Sequence, residues 1–426
     1  MPADWTPEEL PRVVGLLDSW LDSMRAPQGY AGPVSHWWDS CLVYTGAMLD
    51  WRYEGIACGY LNLYRSTLDK TWLAKAIKAS RDIVAGQSSD GHFRNSSFER
   101  GPRTGGTPHE AAADIALLEV AAILKQGDDP DWQLFFLAAE RNIMAQIAGL
   151  WSGQGFIDQP NNTVLVANKN ATMAEALLLY QSLGQRDMSE YITAAAQVVL
   201  SAQVKTGPRA GATIHHGTFG YQLSFGIYTA RCVGALCRLM EVDPRPQYRD
   251  FISGAVAYLT SLICVGGSWL GHYTNGRRVA SPIWIAPCGD LLRALLQARF
   301  WVDVPEDAIQ KLAGSLIRSQ TSSGGIPTAY GLATRGALRP YRGLPDFRDL
   351  LPVVGWCDKA FRALSMMSPS LETCLPARVE LYCVWRNLPC CYIEDDKTII
   401  LRDEHEQTLY EWHKGASYPA IIKLWT

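Results

Sequence analysis

An all-α chain of twelve helices, paired as six hairpins in a closed ring and followed by a small β-rich appendage, is the fold class this sequence predicts. Three observations carry that reading. First, a glutamine returns at Gln28, Gln87, Gln146, Gln203 and Gln320, each after a helix-like run and before a Gly-rich loop, at gaps of 59, 59, 57 and 117 residues. The last gap is two periods. The missing copy falls at Leu262, four residues before Gly266, the offset that Gly91 and Gly324 keep from Gln87 and Gln320. Six stations about 58 residues apart mark a repeat array rather than several unrelated domains. Second, each period holds two Ala- and Leu-rich runs with apolar residues at i, i+3, i+4 and i+7. Third, the second run of a pair is apolar on every side, as in Ala111–Leu124, which marks a helix buried all round. Six such units fit a closed (α/α)6 toroid, because an open superhelix needs polar capping repeats at both ends.

The first helices of the pairs are expected at about 7–25, 70–87, 131–147, 187–204, 246–263 and 305–320. They carry more charge, as in Lys70–Ala85, and form the outer layer. The second, inner helices are expected at about 36–53, 107–126, 170–183, 219–241, 282–301 and 350–367. Thr107-Pro108-His109-Glu110 reads as a capping box with Pro at the first helical position, Ser281-Pro282 opens the fifth inner helix, and Thr172 and Glu175 have capping-box spacing in the third. Glu54-Gly55, Gln126-Gly127 and Leu183-Gly184 place Gly just past inner helices. From about Pro369 the pattern turns to short strands, at Val379–Trp385, Cys390–Glu394, Thr398–Leu401, Leu409–His413 and Ile421–Trp425. The expected division is a barrel over 1–368 and an appendage over 369–426 packed on it.

Apolar residues make up 48% and charged residues 19% of the chain, the balance of a soluble globular protein. A net charge of −3 gives no footprint for nucleic acid or an anionic membrane, so the expected partner is a small molecule or oligosaccharide. No secretory apolar run follows Met1, and the 11 cysteines are odd in number and scattered, so a cytoplasmic protein with reduced thiols is expected. No HExxH, CxxC or Cys-His dipeptide occurs, so no metal is expected, and the lack of a P-loop or G-x-G-x-x-G points to no nucleotide cofactor.

Long loops follow the glutamine stations at about 88–106, 148–169, 205–218, 264–281 and 321–349, whereas the opposite turns are short. Function is therefore expected on the rim where the inner-helix N-termini converge, with their free N–H groups and positive dipole ends. Residues expected there are His36, Trp37, Trp38, Asp39, His92, His109, Glu110, Asp114, Asp158, His215, Tyr221, Trp269, His272, Arg277, Arg335, Tyr341, Trp356 and Asp358. Asp114 sits one turn inside an apolar helix, so its carboxyl faces either the cavity or a buried partner. Glu110 reads first as a capping residue, Asp358 has Arg362 at i+4, and Asp39 follows two Trp, a setting that suits a sugar.

Gln87-Ser88-Ser89-Asp90-Gly91-His92-Phe93 resembles the Q-x-x-x-G-x-W/F element of terpenoid-cyclase and prenyltransferase-like toroids. Their Asp-x-Asp-Asp acid run does not occur here. His36-Trp37-Trp38-Asp39, and Asp90-Gly91-His92-Phe93 followed by Glu110-Ala111-Ala112, resemble segments of (α/α)6 sugar enzymes, the unsaturated-uronyl hydrolases and the α-mannanase type. Gly355-Trp356-Cys357 is similar to a segment of lanthipeptide cyclases, whose zinc site needs a Cys-His pair that this chain lacks. The second likeness implies action on a sugar or uronate-bearing glycoside by carboxyl acid/base chemistry. Asp39 and Asp114 are then the catalytic candidates and Glu110 and Asp158 the reserves. The first implies the alternative, a cyclase or isomerase of natural-product biosynthesis with an aromatic-lined cavity.

Overall fold

The structure is a computed structural model of the 426-residue chain. It describes residues 5–36, 41–97, 103–184, 186–216, 222–263, 272–274, 277–279, 282–331, 343–368, 370–386 and 388–416, without the side chains of 35, 36, 41–45, 216, 222, 223, 272–274 and 277–279.

Helices alternate between an outer and an inner layer. In chain order they are α1 (Leu10–Ser23), α2 (Arg52–Thr67), α3 (Lys70–Ala85), α4 (Ala111–Gln126), α5 (Trp132–Leu150), α6 (Ala167–Gly184), α7 (Ser189–Ser201), α8 (Gly226–Val242), α9 (Pro246–Ser261), α10 (Cys288–Ala298), α11 (Glu306–Ser319), the single turn α12 (Phe347–Leu350) and α13 (Val354–Ser365). The inner helices α2, α4, α6, α8, α10 and α13 each pack on the next, and α13 packs on α2, which closes the ring. Burial follows the sequence pattern: α4 is buried at every position from Ala111 to Ala121, whereas α3 buries only Ala76, Ala79, Ser80 and Ile83. At about 1.5–3 kcal/mol for each large apolar side chain removed from water, the inner layer supplies most of the driving force. Among the described residues no helix is long and apolar enough to cross a membrane.

The glutamine repeat resolves into a three-fold lock. Gln87 donates to Gly91 O and to Ala138 O of α5, both at 2.8 Å. Gln203 donates to Gly211 O (3.4 Å) and to Phe251 O of α9 (2.8 Å), and Gln320 to Gly324 O (3.0 Å) and to Val13 O of α1 (2.8 Å). Each therefore fastens the end of one outer helix to the middle of the next. The three glycines have φ of +91°, +89° and +94°. A Cβ on them would lie 2.7, 1.9 and 2.2 Å from the carbonyls of Arg141, Gly254 and Leu16, so only glycine fits. Gln146 does something else, turning inward to Asp114, and Gln28 is exposed.

Several helix starts lie later than expected. The first inner helix is Arg52–Thr67, not 36–53; strands Gly32–His36 and Cys41–Thr45 pair as a hairpin before it. Gly55 was expected to end that helix, yet it and Gly59 lie inside α2 because α13 crosses close by. Their Cβ atoms would come within 2.2 Å of Asp358 Oδ2 and 2.4 Å of Phe361 Cδ1. Short strands Gln222–Phe225 and Ile283–Trp284 precede α8 and α10, so Ser281-Pro282 does not open the fifth inner helix. In the third unit α6 begins at Ala167, which places Thr172 and Glu175 inside the helix rather than at its cap. Thr107 makes no side-chain cap bond either; its Oγ1 accepts from Lys169 Nζ (2.8 Å).

The C-terminal strands Val379–Trp385, Leu388–Glu394, Thr398–Asp403 and Thr408–His413 form an antiparallel meander. Its buried face, including Cys383, Tyr392, Leu401 and Trp412, packs on Phe347, Leu351 and Val353. The fifth expected strand, Ile421–Trp425, lies outside the described residues. Buried Glu394 ties the sheet to the ring, accepting from Trp20 Nε1 (2.7 Å), Ser323 Oγ (2.8 Å) and Tyr392 OH (2.6 Å) and pairing with Lys414 (2.7 Å).

Replacing Gln203 by Ala removes two bonds to carbonyls and leaves them short of donors, so a loss of about 1–3 kcal/mol is expected in urea unfolding. Gln28→Ala, at an exposed station, is expected to change stability by no more than about 0.5 kcal/mol. Equal effects at the two positions are incompatible with the lock.

Candidate functional site

A cavity of about 190 Å³ sits on the ring axis at the rim of inner-helix N-termini, and all six inner helices reach it. α2 supplies Glu54 and Gly55 with Trp51 just before it; α4 supplies Ala112 with His109 before it; α6 supplies Asn168 and Thr172; α8 supplies Ile227, Tyr228 and Arg231; α10 supplies Asp290; α13 supplies Trp356, Lys359 and Arg362. A larger surface groove of about 950 Å³ runs along the outside of α7, walled by Ser189, Thr193, Ala194 and Gln197. It gathers no buried charged groups, so the smaller axial cavity is the chemical candidate.

The cavity floor is ionic. Glu54 accepts from Arg231 Nη1 at 2.5 Å and also pairs with Arg362, while Arg231 reaches Glu175 (3.1 Å) and Thr172 Oγ1 (3.0 Å). Burial alone pushes the Glu54 carboxyl up, but the two guanidiniums more than offset it and hold it well below the usual carboxylate range. Glu54 is therefore a fixed anion. Asp290 also reaches the cavity, with Arg293 Nε no closer than 3.8 Å. Beside it Asp358 is fully buried and pairs with Lys359 at 2.5 Å. Burial pushes the Asp358 carboxyl up to about 7 against the pull of Lys359, and Asp290 and Asp50 add to the rise. His109, half-buried, lines the cavity. Burial, with the charges of Lys169, His215, Arg231 and Lys359, pushes its pKa well below the usual value, so it is neutral at pH 7. Its ring meets Trp51 edge-on at 5.3 Å.

Of the residues expected at the site, His109 and Trp356 line the cavity, and Asp358 lies directly behind it. His215 lies against Tyr228, with ring centroids 4.7 Å apart and the planes tilted by 47°. Asp114 faces the outer layer, where Gln146 Nε2 of α5 donates to it at 3.1 Å; it found a buried partner, not the cavity. Glu110 is saturated by the loop before it, accepting from Phe93 N (2.9 Å) and Ser96 Oγ (2.7 Å) and pairing with His92 Nδ1 (2.7 Å). Asp158 is paired with Lys169 and accepts from Asn162 (3.0 Å). Trp37, Trp38, Asp39, Tyr221, Trp269, Arg335 and Tyr341 lie outside the described residues; His36, His272 and Arg277 lie in strands whose side chains are not described. Sequence reasoning missed Glu54, Arg231, Asp290, Lys359 and Arg362. The signal was present: each is a charge inside an otherwise apolar inner helix, the argument applied only to Asp114.

Among the described residues no group of three His, Cys, Asp or Glu side chains is placed to hold a metal ion.

A closed ring of six helical hairpins with an axial cavity at the inner-helix N-termini defines the class: the chain is an (α/α)6 toroid. No protein-family model and no curated protein matches its sequence. Solved structures do match in fold. One described as a possible member of the GH105 family, from Salmonella enterica serovar Paratyphi A, has a TM-score of 0.58 at 13% identity over 85% of this chain and 94% of that one. A glycosyl hydrolase family 88 protein from Bacteroides vulgatus has a TM-score of 0.55 at 11% identity (86% and 99% covered). The GH76A α-1,6-mannanase from Salegentibacter sp. HEL1_6 has 0.54 at 13% (85% and 99%). The toroid expected from the six-station repeat and the all-round apolar inner helices is thus the fold observed.

Two outcomes separate structural from chemical carboxyls. Glu54→Ala strands two buried guanidiniums and is expected to cost about 3–5 kcal/mol in urea unfolding. Asp114 has the opposite sign. Burial, with Glu110 nearby, raises its pKa well above the usual value, so folding loses stability as pH climbs from the ordinary carboxylate range toward the folded pKa. Asp114→Asn is therefore expected to gain stability over wild type as pH rises above the ordinary carboxylate range, read as the difference in unfolding midpoints.

Proposed function

We propose that the protein acts on a glycoside, with carboxyl acid/base chemistry in the axial cavity. The observation that carries this reading is the composition of that cavity. Two tryptophans and a tyrosine stand around two carboxylates, two guanidiniums and an ammonium, at the centre of a fold shared with solved glycoside hydrolases. Aromatic faces suit the C–H face of a sugar ring, and paired charges suit its hydroxyls. A volume of about 190 Å³ accommodates roughly one ring. Such an ionic lining weighs against the cyclase alternative, whose substrate needs an apolar wall.

Within this reading Trp51 and Trp356 hold the ring, and Arg231 and Lys359 donate to its oxygens. Asp290 is the acid/base group, because it reaches the cavity without a hydrogen-bonded guanidinium. Asp39 is the second carboxyl to test, on the likeness of His36-Trp37-Trp38-Asp39 to (α/α)6 sugar enzymes; strand Gly32–His36, which precedes it in sequence, packs on α13. Asp114, Glu110 and Asp158 are assigned structural roles.

The experiment is a screen of aryl glycosides and unsaturated oligosaccharides, followed by variants on the best substrate. Asp290→Asn is expected to lower kcat by about 10²-fold or more, while Trp356→Ala chiefly raises KM. Full turnover in both Asp290→Asn and Asp39→Asn would falsify the carboxyl assignment.

A further inference from the structure

We infer that Asp358 is a positioning residue for Lys359, and that the pair is a proton-operated latch on the cavity's ammonium group. The inference rests on the glycoside reading only for what the released ammonium does; the latch itself is a property of the protein alone.

Adjacent residues on a helix point about 100° apart and do not ordinarily meet. Here they do. Lys359 lines the cavity, yet its Nζ folds back to Asp358 Oδ2 (2.5 Å) and Trp51 O (3.3 Å). That places an ammonium beside the start of α2, the positive end of a helix dipole and a poor place for a cation. A carboxylate partner is what makes the position tolerable.

Asp358 is built to be that partner under only one protonation state. It is fully buried between α13 and α2, where Gly55 makes room for it: a Cβ there would lie 2.2 Å from Oδ2. Its other oxygen, Oδ1, has no hydrogen-bond partner. The groups facing it are largely committed or negative. From α2 and its approach come Asp50, bound to Arg52 (2.7 Å), and Glu54, bound to Arg231 and Arg362. α10 brings Asp290 and Arg293, which stands 3.8 Å from Asp290. α13 itself brings Cys357, Lys359 and Arg362. α1 and strand Gly32–His36 also pack on α13: α1 brings the exposed Arg12 and Asp18 and Asp22, both paired with Lys75 (2.6 and 2.7 Å), and the strand's described side chains carry no charge. Lys359 is thus the one cation hydrogen-bonded to Asp358 among the described residues. A buried carboxylate with a bare oxygen and a single partner is held weakly in its ionised form.

Burial pushes its pKa up to about 7. The sign follows directly: above that pH the carboxylate holds Lys359 against α2, and below it the carboxyl is neutral and the ammonium is released. Asp290, which lines the same cavity and has Arg293 Nε 3.8 Å away, is then the carboxylate there that makes no hydrogen bond to a guanidinium and can receive it. On the glycoside reading, release makes Lys359 a donor to the sugar and a partner for the acid/base group.

The test uses no substrate. Protein carrying ¹³C-carboxyl aspartate and ¹⁵N-lysine is titrated by NMR from about pH 5 to about pH 9. The Asp358 carboxyl is expected to titrate with a midpoint near 7, a signal absent in D358N, and in K359M its midpoint rises by at least about one unit. A protected lysine ammonium signal is expected at high pH, disappearing as Asp358 takes up its proton and missing from both variants. An Asp358 midpoint near the ordinary carboxylate value, or an ammonium signal unchanged through neutrality, overturns the inference. Should D358N fail to fold, wild type and K359M decide it. An intact titration beside a glycoside screen that yields no substrate sinks the glycoside reading alone.

Discussion

The ring depends on one carboxylate. Glu54 of α2 binds guanidiniums from α8 and α13, so three of the six inner helices meet on its Oε1. A buried ion pair is seldom the cheapest way to stabilise a core, since apolar side chains of the same volume often do as well or better. What the arrangement supplies is uniqueness. Alanine- and leucine-rich inner helices would tolerate sliding along and rotating about one another. A charged triad at the axis is satisfied in one register only. It also keeps the upper end of the axis from filling with hydrocarbon, and so leaves a polar cavity above it.

The outer layer solves a different problem with neutral groups. Outer helices touch the core along one stripe and have little apolar surface to hold them to one another. The glutamine amides supply what packing does not, by satisfying carbonyls on the neighbouring outer helix. The lock occurs at alternate seams, α3 to α5, α7 to α9 and α11 to α1. The close glycine approaches recur at the same three places. The sequence repeat is six-fold in its helices but three-fold in its fastening.

This distinction explains what was legible beforehand. Period, layer assignment and ring closure follow from apolar patterning, and they came out as expected because burial on all sides leaves a composition that nothing else produces. Gly55 was misread because a glycine reports only that something comes close; a helix end and a crossing helix leave the same mark. Asp114 stayed open because a buried acid has two destinations, the cavity or a buried partner, and sequence does not say on which side of an inner helix that partner lies. Glu54, Arg231, Asp290 and Arg362 were readable by the same argument and were passed over in favour of loop residues. The rim was least legible. Its strands, such as the four-stranded sheet joining His215–His216, Gln222–Phe225, His272–Thr274 and Arg277–Val279, are set by pairing between loops of different hairpins.

The seam between α11 and α1 differs from every other. There Gln320 reaches back 307 residues to Val13, and Glu394 of the C-terminal sheet reaches back 374 residues to Trp20. Every other outer-helix lock joins residues about 50 apart. Closing a long loop costs chain entropy before any contact repays it, and contacts remote in sequence slow folding. Hairpins can therefore assemble in order along the chain as an open arc, while the clasp waits for both ends. The seam that turns the arc into a ring is therefore the last to form, and the axial cavity exists only once it has closed.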